Sequence, residues 1–218
     1  MKKFLILVLT IVLAFTFLGC ELPEIYWGND PSRLEYGFDR EISEEEKSLR
    51  LDFVQTAEKW LGTLEGTDAY RDILSIYNEH TPLAQGYIVQ EGDKWCATFV
   101  SAIAIECDLT DIIPTECGCQ RQIGLFDEIG CWQEDDAYIP LPGDIIYYCS
   151  KDENPSEDCT TWSDHVGIVV GTCDGYIKVI EGNFVGTVSY HYIKVDSKGI
   201  RGFALPDYAS IATEATKE

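Results

Sequence analysis

Pro142 divides this chain into two periodicities, and that change of period constrains the fold more than any other feature. Before it, apolar residues recur three and four positions apart, which is the spacing of one helical face. Ser43 followed three residues later by Glu46 has the form of a capping box, and Leu49, Phe53, Val54, Ala57, Trp60 and Leu61 then share a face until Gly62. Tyr70, Ile73, Leu74 and Tyr77 predict a second helix, "WCATFVSAIAIEC" a third with Asp93 as its cap, and residues 120–129 a weaker fourth. Beyond Pro142 come short β-branched runs with turn residues between them: "GDIIYYC", "HVGIVVGT", "GYIKVIEGN", "VSYHYIKV" and "IRGFALP". Several are only a few residues apart, too close for helical crossovers, so the sheet is expected to be largely antiparallel. Helices first and strands afterwards give an α+β fold.

The N-terminus reads differently. Two lysines precede an apolar run from Phe4 to Leu18, and Gly19-Cys20 follows, which is the layout of a secretion signal. Fifteen apolar residues fall short of the ~20 that span a bilayer as a helix. A cysteine directly after the glycine resembles the lipobox of bacterial lipoproteins, with Phe17 standing where that motif usually has leucine. The resemblance implies cleavage after residue 19, lipidation of Cys20 and a protein held on the outer face of a membrane through its acyl chains. Residues 20–48 read as a tether and N-terminal extension, 49–208 as the one folded domain, and 209–218 as a frayed acidic tail.

The 38 acidic residues outnumber the 16 Lys and Arg, giving a net charge of −22. A body of that sign repels nucleic acid and phospholipid head groups, so neither is expected as a partner of the folded domain. Membrane retention is therefore expected to come from the anchor and not from a basic patch. A monomer is expected.

Nine cysteines are present. Cys149 and Cys159 bracket the polar loop "SKDENPSED" and are placed to staple it, although spacing does not establish connectivity. "CGC" at 117–119 with Cys131 lacks the paired C-x-x-C units of a zinc site, and no metal or cofactor is expected. Cys96 stands where the third helix begins, and unpaired N–H groups there favour a thiolate. Cys107 lies at the opposite end, where the dipole has the wrong sign. Of the three histidines, His80 follows a helix, His191 lies within an alternating strand, and His165 opens a strand at a sheet end, within reach of a helix terminus. In "VIEGN", alternation puts Glu181 and Asn183 on one face with Gly182 between them, and two buried polar groups there need partners such as an imidazole.

With "DKWCATFVSA", "PGDIIYY", "DHVGIVVG" and "VIEGN" in that order, the sequence resembles the CHAP domain. This is the cysteine- and histidine-dependent amidohydrolase/peptidase of wall-lytic enzymes, related to NlpC/P60 and papain-like hydrolases. The resemblance implies Cys96 as nucleophile, His165 as general base and acid, Glu181 as the group that orients the ring, and Asn183 either completing the site or binding the oxyanion. It implies peptidoglycan peptide as substrate, cut at an amide of the stem, the cross-bridge or the muramoyl–alanine linkage. Gln90 is a candidate second oxyanion donor. Acyl transfer by the same residues, and a non-catalytic wall-associated lipoprotein, remain as alternatives.

Overall fold

The structure is a computed structural model that describes residues 30–149, 159–160 and 162–215. The expected signal segment and the lipidation candidate Cys20 lie outside the described residues. Met1–Arg33 and Leu34–Glu218 form separate units. Of the first, the described part is a single 3-10 turn, Pro31–Arg33, after Asp30, whose carboxylate accepts from the backbone and hydroxyl of Ser32.

In the larger unit, α1 (Glu44–Glu58) begins at Ser43, whose hydroxyl accepts from the Glu46 N–H at 3.1 Å. The capping box is half made, because the Glu46 carboxylate turns along the helix to the buried Arg50, whose Nε donates to it at 2.8 Å. Helix α2 (Asp68–Glu79) is capped by the Thr67 hydroxyl and buries Tyr70, Ile73, Leu74 and Tyr77, the face its spacing predicted. Helix α3 (Cys96–Glu106) is buried at each of its first nine residues and is the centre of the core. Asp93 does not cap it. Its carboxylate instead accepts from the Gln90 N–H at 2.8 Å and the Tyr87 hydroxyl at 2.7 Å, so α3 starts after Trp95 with no side-chain cap. Helix α4 (Cys119–Glu128) also starts without one, after Gly118, one residue earlier than its pattern predicted.

Five of the six strands coincide with the β-branched runs: β2 (Ile145–Tyr148), β3 (His165–Cys173), β4 (Tyr176–Phe184), β5 (Thr187–Lys194) and β6 (Ile200–Ala204). The two-residue β1 (Trp132–Gln133) joins the edge, where it pairs with β6. The sheet order is β1-β6-β2-β3-β4-β5 and every pairing is antiparallel. Alternation splits its side chains between two cores. Ile145, Tyr147, Val166, Ile168 and Ile180 join the cluster built around α1 to α4, whereas Ile146, Tyr148, Val169, Val179 and Phe203 form a second cluster. Of the expected frayed tail, the part up to Ala215 is helical: Tyr208–Ala215 forms helix α5, anchored by the fully buried Tyr208, whose hydroxyl donates to Gly143 O at 2.9 Å. Cys149 and Cys159 are joined as a disulfide. Among the described residues no helix is long and apolar enough to cross a membrane.

Candidate active site

Two uncapped helix starts and one strand start meet in a cleft of about 480 Å³. Cys96 is the first residue of α3, Cys119 the first of α4 and His165 the first of β3, and all three line the cleft. Each uncapped helix end leaves backbone N–H groups without intrahelical partners, which favours negative charge between them. Lys94 and Arg121 add two cations to the wall, the latter held by the buried Glu116 at 2.9 Å. Trp162 and Val185, both highly exposed, form apolar parts of its rim.

The sulfur of Cys96 is 3.6 Å from that of Cys119. Its acidity is raised, and the thiol is held well below the usual cysteine range. The Cys119 thiol contributes most to this; burial opposes it, and the His165 ring and the Ala97 N–H add to it. Cys119 is driven the other way, well above that range, by its bond to Cys96, by burial and by the neighbouring negative charge. The negative charge of the pair therefore sits on Cys96.

His165 is 6% exposed, and its Nε2–H donates to Glu181 Oε2 at 3.1 Å. That bond commits one ring nitrogen, and the Cys96 sulfur is the other group that favours the charged ring. Burial disfavours the charged ring, but Cys96 and Glu181 outweigh it and raise His165 to about 10. Glu181 is fully buried; despite that burial, the two imidazoles bonded to it hold its carboxyl below the usual range. Tyr148 packs against the His165 ring with centroids 5.1 Å apart and closes that side.

The second imidazole on Glu181 is His191, a residue the strand pattern did not single out. Its Nδ1–H donates to Oε1 at 3.1 Å, and Phe184 stacks on its ring at 4.9 Å. Both carboxylate oxygens are thus occupied by histidines. Asn183 does not share the face of Glu181 as alternation predicted. The register of β4 against β5 shifts between Glu181 and Phe184, and Asn183 takes φ 60°, so its side chain lines the cleft beside the pair. Gly182 faces α3, where a Cβ would come within 2.5 Å of Phe99, while Glu181 lies on the other face of the sheet, beside Gly167. Gln90 is exposed and its amide donates to Ile88 O at 2.8 Å, away from the cleft. Trp95 is core, packed between Tyr70 and Phe99. Among the described residues no cluster of three or more His, Cys, Asp or Glu is arranged to hold a metal ion.

Residues 88–183 match the CHAP domain. The CHAP match takes in Cys96, Cys119, His165, Glu181 and Asn183 and stops short of His191. Two solved structures are similar to this chain at low identity. One is Ly7917 with the hydrolyzing product of MDP, 12% identical with a TM-score of 0.40, covering 72% of this chain and 62% of that one. The other is NlpC1 from Trichomonas vaginalis, 15% identical with a TM-score of 0.37, covering 80% of this chain and 48% of that one. The chain thus spans less than two thirds of either structure's length. No curated protein matches it.

Proposed function

We propose that the protein is a cysteine-dependent hydrolase of peptidoglycan amide bonds. The observation that carries this reading is the meeting of Cys96 and His165 in one cleft, with the buried Glu181 bonded to the His165 ring from behind, all within the segment that matches the CHAP domain. The Cys96 thiolate attacks the amide carbonyl, with the Cys96 backbone N–H at the head of α3 placed to meet the developing oxyanion. His165, held as an imidazolium, protonates the leaving amine and then draws a proton from the water that resolves the thioester. Glu181 fixes the ring and balances its charge. Asn183, on the cleft wall, supplies a second contact to the oxyanion or the substrate in this reading. Lys94 and Arg121 suit a wall peptide bearing free carboxylates, which the otherwise acidic surface repels. The N-terminal segment ending in Cys20 would export the domain and tether it to the membrane facing the wall.

The test is incubation of the purified chain with peptidoglycan, followed by mass spectrometry of the released muropeptides. New amine and carboxyl ends at one amide position support the reading and name the scissile bond. An added amine that appears in the product diverts it to acyl transfer. Cys96→Ala is expected to release nothing, and equal release by that variant would remove the nucleophile assignment.

A further inference from the structure

The partner of Cys96 that the proposed hydrolysis does not need is Cys119. Buried cysteines are commonly inert packing, but this one touches the reactive sulfur at 3.6 Å, lines the same cleft and begins its own uncapped helix. A disulfide needs the sulfurs at ~2.05 Å, so an approach of about 1.5 Å by the two side chains joins them. Cys117 lines the cleft too, but its sulfur accepts from Arg121 Nη2 at 3.5 Å. We propose that Cys119 is a resolving cysteine: when Cys96 is oxidised, Cys119 captures it as a reversible Cys96–Cys119 disulfide.

The chemistry balances with a hydroperoxide as oxidant. The Cys96 thiolate attacks the terminal peroxide oxygen, an S–O bond forms as the O–O bond breaks, and with hydrogen peroxide one water leaves after protonation, giving sulfenic acid. Cys119 then attacks that sulfur; the S–S bond forms, the S–O bond breaks, and the hydroxyl leaves as a second water with the Cys119 proton. The two thiols lose two electrons and two protons, and the peroxide is reduced to two waters. The first step prepares the second. The negative charge on Cys96 is one of the influences that keep Cys119 protonated, and sulfenic acid is neutral, so its formation removes that influence. The head of α4 then favours the attacking thiolate. The sulfur chemistry rests on the geometry of the pair; the loss of hydrolysis that accompanies it rests on the proposed role of Cys96.

The experiment treats the reduced full chain with hydrogen peroxide, blocks remaining thiols with an alkylating reagent, digests, and maps peptides by mass spectrometry without reduction. The expected product links the peptide of Cys96 to that of Cys119, is lighter by two hydrogens, and is undone by dithiothreitol with return of activity. Cys117→Ser is expected to leave the link intact. In Cys119→Ser, shown to be folded by circular dichroism, the same treatment should carry Cys96 to sulfinic or sulfonic acid that dithiothreitol does not reverse. Should that variant not fold, the map of the unsubstituted chain decides alone. Finding Cys96 there as sulfinic or sulfonic acid, joined to Cys117, or unmodified would overturn the proposal. A link that forms without loss of hydrolysis would uphold it while removing Cys96 from the catalytic role.

Discussion

Glu181 is one carboxylate shared by two imidazoles, and its position sets what each residue of the site is expected to do. Removing His191 leaves His165 bonded to Glu181 but frees one oxygen of a buried anion. His191→Ala should therefore lower kcat about 10-fold, the scale of one hydrogen bond to a charged group. His165→Ala removes the acid and base outright and should cost on the order of 10²–10⁴ in kcat. Muropeptide release by the two variants checks the ranking, and equal losses would show that His191 does more than hold Glu181. The pH dependence follows from the same contacts. With Cys96 pushed down and His165 raised to about 10, the thiolate–imidazolium pair is the resting form at neutral pH. As pH rises through about 10 the imidazolium loses the proton its leaving group needs, so kcat should fall there. As pH drops the thiolate is protonated and activity falls again. Iodoacetamide alkylation of Cys96 should stay fast below the usual thiol range, and a rate that climbs only near that range would contradict the pair. The places of Cys96 and His165 at the starts of α3 and β3 were legible from the apolar run that follows each, although the cap expected for α3 was not found. Cys119 was hidden by a helix that begins one residue sooner than its pattern suggests. His191 was hidden by register: it lies opposite Val179, diagonal to Glu181, and that pairing is set by a Val185-Gly186 turn with φ of 52° and 74°, a turn that Val-Gly does not announce as Asn-Gly, Asp-Gly or Gly-Gly would.

At the scale of elements, the site depends on how closely β3 and β4 approach each other and α3. A Cβ on Gly167 of β3 would lie 2.3 Å from Val179 Cγ1 and 2.7 Å from Glu181 Cγ. Such contacts are resolved only by moving β4, and overpacking of this kind costs ~1–3 kcal/mol. Gly167→Ala should lower the urea midpoint accordingly and also lower kcat, because the atom displaced belongs to the carboxylate that holds His165. Gly182→Ala meets Phe99 and Trp95 on the other face and should lower stability similarly. A Gly167→Ala variant with unchanged stability and rate would mean that β4 does not hold Glu181 rigidly. Helices α1 to α4 and the five longer strands could be read from periodicity, which is a local property of the chain, whereas α5 could not. The strand order could not be, because β6 inserts between β1 and β2 through contacts far apart in sequence. The two-residue β1 carries too few positions to show any period.

Across the whole molecule, the first helix, the second strand and the last helix are tied by one guanidinium. Arg50 of α1 donates to Asp144 at 2.8 Å and to Pro142 O at 3.1 Å just ahead of β2, and its guanidinium lies 4.6 Å from the ring centroid of Tyr208 in α5. Tyr208 returns a hydrogen bond to Gly143 O. This knot sits at Pro142, where the sequence changes from helical to strand period, and it explains why Tyr208–Ala215 is helical and packed: Tyr208 is the lid over a buried ion pair. Nothing in a periodicity marks such a contact, since each partner alone reads as a surface charge or a terminal aromatic. Arg50→Ala leaves the Asp144 carboxylate buried with its charge partner gone, which should destabilise by ~3–5 kcal/mol, whereas Arg50→Met, which keeps much of the side-chain length but not the charge, should recover only part of that. Tyr208→Phe keeps the ring and loses one hydrogen bond, for about 1 kcal/mol. Urea unfolding of the three variants orders them, and the cleft lies elsewhere on the molecule, so alkylation of Cys96 in native buffer should be unchanged in Tyr208→Phe. An Arg50→Ala variant within about 0.5 kcal/mol of the parent, the range of ordinary surface substitutions, would show that water reaches Asp144 and that the knot does not hold the three elements together.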